Sequence, residues 1–113
     1  MKRTFIYTEL FSRKWNELGL NQTNDLYKLE LFLLENPDAG EIMQGTGGIR
    51  KLRWALPYKG KSGGIRVLYL DFIIQETIIV FDLFSKGEKE NLSKMEKNSL
   101  KEIVKLIGKE LKP

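Results

Sequence analysis

The chain has 113 residues, of which 42% are hydrophobic and 30% charged, and its formal net charge is +4. That length and composition predict a single packed domain spanning residues 1–113 rather than a disordered chain. It contains neither Cys nor His, which excludes disulfides, thiol nucleophiles and thiolate metal sites, argues against zinc, and leaves acid–base chemistry to Lys, Arg, Tyr, Asp, Glu, the substrate itself or solvent.

From the N-terminus, residues 4–7 form a short β-prone run. Thr8 is placed to cap a helix over residues 9–18, where Phe11, Trp15 and Leu18 make one apolar stripe, and Gly19 stops it. The polar cluster at residues 21–24 opens a second helix over residues 26–35, with Leu26, Leu29 and Leu33 on one side and Phe32 beside them. Asn36 precedes Pro37, which disfavours helical geometry there, so residues 36–40 read as a turn.

Residues 49–56 alternate: Leu52, Trp54 and Leu56 share a face with Arg50, while Lys51 and Arg53 take the other. Residues 57–64 form a connecting loop that carries Lys59 and Lys61. Two further strands follow at residues 65–72 and 77–84; the first is apolar on both faces apart from Arg66 and Asp71, and the second repeats this with β-branched Ile and Val. Ser93 and Glu96 have the spacing of a capping box ahead of a helix with Leu100, Ile103, Val104, Ile107 and Leu111 in its stripe. The order β-α-α-β-β-β-α gives an α+β class. The three last strands suit an antiparallel meander, and the expected assembly is a four-stranded sheet with all three helices on one face. Neither a leader peptide nor a membrane-spanning run is recognisable, so a soluble cytoplasmic protein is expected.

The dominant functional signal is residues 45–66. Arg50, Lys51, Arg53, Lys59, Lys61 and Arg66 fall there, and no Asp or Glu lies between Glu41 and Asp71. Such a block suits a polyanion, with RNA or DNA phosphate the first candidate. Arg66 interrupts an otherwise apolar strand, where an unpaired cation is costly. A phosphate clamp explains it, and an ion pair to Asp82 or Asp71 is the competing reading. For Lys59 and Lys61, phosphate contact competes evenly with two solvated loop lysines. Lys51 and Arg53 suit RNA or ribosome binding, against the alternative of a solvated sheet face. Arg50 falls on the core side, so a strand edge or an ion pair is expected for it. Trp54 and Tyr69 read as core.

GTGGIRKLRW at residues 45–54, GKSGGIRVLY at 60–69 and LFSKGEKENLS at 83–93, with NPDAG at 36–40, together resemble the RelE/HigB superfamily of bacterial toxins, and the HigB-like branch most closely. The resemblance implies a microbial RNase-like fold and ribosome-dependent cleavage of mRNA. Its chemistry is metal-independent attack of a ribose 2′-OH on the adjacent phosphate, without a cofactor. It also implies a cognate antitoxin, in that branch a helix-turn-helix, HigA-like protein. On this basis Arg66, Lys59, Lys61 and Lys86 are the candidate catalytic residues. Lys51, Arg53, Arg50 and Phe84 are the candidate RNA- or ribosome-binding residues, with Phe84 stacking on a base. The chain departs from relatives at Phe84, where many carry Tyr, and at Gly87, where some carry Arg. A ParE-like gyrase inhibitor and a catalytically degenerate binder of RNA or antitoxin are the alternatives.

Overall fold

The computed structural model describes residues 2–56, 64–85, 87–88 and 91–111. Strand β1 (Thr4–Tyr7) is followed by helices α1 (Glu9–Glu17) and α2 (Asp25–Glu35), then by strands β2 (Glu41–Ile42), β3 (Arg50–Trp54), β4 (Ile65–Phe72) and β5 (Thr77–Ser85), and last by helix α3 (Lys94–Glu110). The caps form where the sequence places them at two of the three helices. Thr8 Oγ1 accepts from Phe11 N at 3.1 Å, and Ser93 and Glu96 close a reciprocal capping box. At α2 the work falls to Asn21, whose Oδ1 accepts from Asn24 N at 2.7 Å and Asp25 N at 3.0 Å.

The strands form one five-stranded sheet in the order β1-β5-β4-β3-β2. β3, β4 and β5 make the antiparallel meander, and β1 joins β5 in parallel. Two features differ from expectation. β2 is an added edge strand of two exposed residues, too short and too polar at Glu41 to carry an alternating pattern. The helices also do not share a face. Phe11 and Trp15 of α1 and Leu29 and Leu33 of α2 pack with Leu52, Val67, Tyr69, Ile78 and Val80. Leu100, Val104 and Ile107 of α3, with Leu111, pack on the other side against Leu68, Ile79 and Phe81. The reason lies in β4 and β5, whose alternate residues are apolar in both directions. A sheet with two greasy faces needs cover on both. Ile103, expected in the α3 stripe, points outward instead.

Two ion pairs tie the N-terminal segment and α1 to the sheet. Arg3 grips both carboxylate oxygens of Asp71 at 2.7 and 3.2 Å, and Lys14 bonds Asp82 at 2.8 Å and the Leu83 carbonyl at 3.0 Å. Between Leu68 and Tyr69 the β4–β5 register shifts, with Leu68 opposite Asp82 and Tyr69 opposite Val80. This bulge brings Phe84 opposite Arg66.

Candidate nucleic-acid interface

The sheet face that carries α3 also carries a cluster of cations on β3 and β4. Arg66 alternates with Leu68 and Leu70, both in the α3 cluster, so its side chain leaves β4 on the α3 side. Arg53 lies directly opposite Arg66 and Lys51 directly opposite Leu68, which puts all three cations on that side. Arg66 and Lys51 are half-buried and Arg53 is exposed. The competing assignment of Arg66 to an ion pair fails, because Asp71 is held by Arg3 and Asp82 by Lys14. Among the described residues, no side-chain hydrogen bond or ion pair involves Arg53 or Arg66.

Like charges directly opposite in a sheet are destabilising. Two arginines so placed, with no carboxylate between them, make a site for an anion. Guanidinium groups suit phosphate oxygens because their donors are planar and forked. Among the described residues, an acidic neighbour is contributed by an element that the sequence pattern did not reveal. Strand β2 sets Glu41 opposite Lys51, at the edge of the patch away from the arginine pair. Lys51 Nζ also reaches Asn91 Oδ1 at 3.4 Å, next to the start of α3. Gly40 makes this edge possible: a Cβ there would sit 3.0 Å from the Lys51 carbonyl group, closer than backbone packing allows.

Arg50 belongs elsewhere. It lies opposite Tyr69, on the α1–α2 side, and donates from Nη1 to the Gly40 carbonyl at 2.7 Å and the Asp38 carbonyl at 3.2 Å. Tyr69 completes this network, donating to the Pro37 carbonyl at 2.9 Å and accepting from Gly40 N at 3.0 Å. The two side chains pin the turn that enters β2. Phe84 is fully buried in the α3 cluster, which corrects the expectation that it stacks on a base: a ring with no exposed surface has no face to offer. Tyr69 is likewise in the core, and Trp54 is half-buried against Phe32 with ring centroids 5.4 Å apart. Lys59, Lys61 and Lys86 lie outside the described residues.

Of the described tyrosines, Tyr7 and Tyr69 lie on the face opposite the patch, in the α1–α2 cluster. Burial and the hydrogen bond to Glu30 push Tyr7 far up, and burial also raises Tyr69. Among the described residues, no group of three or more Asp or Glu side chains could hold a metal ion. No helix of the described residues is long and apolar enough to cross a membrane.

Comparison with known proteins gives a consistent picture. The family model described as the RelE toxin of the RelE/RelB toxin–antitoxin system matches residues 34–111. Among solved structures, a mutant of the E. coli toxin RelE in the free state aligns with a TM-score of 0.58 at 18% identity, covering 92% of this chain and 98% of that one. The intact E. coli RelBE toxin–antitoxin complex contains a chain that aligns with a TM-score of 0.55 at 19% identity, covering 80% of this chain and 100% of that one. At such identities the structural likeness speaks to the fold.

Proposed function

The chain belongs to the RelE toxin family, and we propose that it is a single-domain toxin of a type II toxin–antitoxin system that cleaves mRNA on the translating ribosome. The observation that carries this reading is the Arg53–Arg66 pair, directly opposite across β3 and β4 on the α3 face and without an acidic partner among the described residues. The substrate is then the phosphate backbone of RNA. The ribose 2′-oxygen attacks the neighbouring phosphorus, and the bond to the 5′-oxygen breaks. The proton lost by the 2′-OH is balanced by one gained at the leaving oxygen, giving a 2′,3′-cyclic phosphate and a 5′-OH. Arg66 and Arg53 stabilise the charge that gathers on the phosphoryl oxygens, an effect worth about two to three powers of ten per donor. Lys59, Lys61 and Lys86 are the proposed further contributors, and Lys51 positions the strand. The motifs around residues 45–69 favour the HigB-like branch, and hence a helix-turn-helix antitoxin as partner.

A second reading is a binder without catalysis, supported by the burial of Phe84. The two separate in a reconstituted translation system. The nuclease reading predicts that mRNA is shortened only when ribosomes are present and translating. Intact mRNA with folded protein bound to ribosomes would establish the binder instead, and inhibition of gyrase supercoiling would point to a ParE-like protein.

A further inference from the structure

The basic surface does not end at the sheet. Lys94, Lys97, Lys101, Lys105 and Lys109 recur at three- and four-residue spacing along α3. At 3.6 residues per turn they fall within an arc of roughly 120° and extend over about 22 Å. Packing fixes where this arc faces. Leu100, Val104 and Ile107 take the side against the sheet. Gly45 and Gly47, in the turn between β2 and β3, lie beside the Lys97 and Lys101 stems, at 3.9 Å from the Cβ position of each glycine. The row therefore runs along the β2–β3 flank of the helix. Its first turn starts two residues after Leu92, next to Asn91, which contacts Lys51. Four of the five lysines are exposed and Lys97 is half-buried. Among the described residues, the acidic side chains of α3 leave the row largely uncompensated. Glu96 is occupied by the capping box. Glu102 pairs with Lys105 at 3.6 Å in a solvated geometry, which is worth little.

We propose that this lysine row is a docking surface for the phosphate backbone of ribosomal RNA, continuous with the patch at Lys51, Arg53 and Arg66 but separate from the chemistry. The proposal rests on the ribosome-directed reading above. A row about 22 Å long spans several phosphates rather than one. Lysines on flexible stems suit backbone charge read without regard to sequence, where a forked guanidinium is not needed. The division of labour is then spatial: the arginine pair holds the phosphate to be cut, and α3 holds the protein on the particle that presents it.

The test is binding of the full chain to purified ribosomes over a salt series, for the unmodified protein and for K94Q/K97Q/K101Q/K105Q/K109Q. Gln keeps the helix propensity of Lys, and circular dichroism checks the fold. The expected result is a loss of at least about tenfold in affinity at low salt and a salt slope smaller by roughly two to four. Should the fivefold variant not fold, K101Q/K105Q/K109Q gives a smaller loss in the same direction. The reverse variant E102Q/E110Q tightens binding by about twofold. Unchanged affinity and slope in the folded variants overturns the proposal, as does a variant that binds ribosomes normally and loses its antitoxin. Lysine-dependent ribosome binding by a protein that never cleaves mRNA keeps the docking surface and removes the nuclease reading. Normal cleavage with lysine-independent binding does the opposite.

Discussion

Replacing Arg66 by Ala separates a functional arginine from a structural one, because the two roles predict opposite balances between stability and activity. In folding terms the substitution does two things. It relieves the repulsion with Arg53 on the neighbouring strand, worth about 0.8 kcal/mol for unit charges roughly 5 Å apart in water. It also removes about two half-buried methylenes, a loss on the order of 0.8 kcal/mol at ~0.8 kcal/mol per fully buried CH₂. These nearly cancel, so unfolding stability should stay within about 1 kcal/mol of the unmodified protein. In the transition state, loss of one preorganised donor costs about 3–4 kcal/mol, or two to three powers of ten in rate. Urea unfolding reads the first quantity from the midpoint at constant slope. Time courses of mRNA cleavage in reconstituted translation read the second. A stability loss above about 2 kcal/mol, or a cleavage rate within twofold of the unmodified protein, would refute the assignment.

Other residues give further expectations. Tyr69→Phe leaves Gly40 N and the Pro37 carbonyl without their partner, and should cost about 1–3 kcal/mol in urea unfolding. Gly40→Ala drives a Cβ to 3.0 Å from the Lys51 carbonyl group. It should destabilise by about 1–3 kcal/mol and weaken RNA binding through displacement of Lys51. Burial raises the Tyr7 and Tyr69 phenols in the folded state. On raising the pH the unfolded chain therefore gives up these protons first, near pH 10. Their stabilisation is complete below that pH and falls above it, by up to about 1.4 kcal/mol per pH unit for each phenol. The same titration on Tyr7→Phe should show a shallower alkaline slope.

The sequence disclosed most of the elements and less of their arrangement. Thr8 and the Ser93–Glu96 box act as caps because the local spacing decides them. The meander of β3, β4 and β5 was legible because apolar runs and turn residues alternate along it. Which face each helix covers was not, since amphipathic stripes name a buried side and not the sheet face it meets. The two-faced apolar pattern of β4 and β5 was the available signal, and it called for helices on both sides. β2 escaped because two exposed residues carry no period, and with it went Glu41, whose position beside Lys51 is set by pairing alone. The site shows the same division. Lys51 and Arg53 were readable as one surface from alternation, while Arg66 joins them only through the β3–β4 register. The fate of Phe84 depended on the bulge between Leu68 and Tyr69 and on cover from α3, both long-range effects. Arg50 was expected at an edge or in an ion pair, and it is held by backbone carbonyls instead.

The central claim is that the Arg53–Arg66 surface acts on mRNA at the ribosome. Primer extension on an mRNA in reconstituted translation tests it most directly, with the unmodified protein and Arg53→Ala/Arg66→Ala side by side. New 5′ ends are expected that require translating ribosomes, fall at fixed positions within codons and disappear with the double variant. Intact mRNA in the presence of active ribosomes, or the same ends produced by the folded double variant, would contradict it.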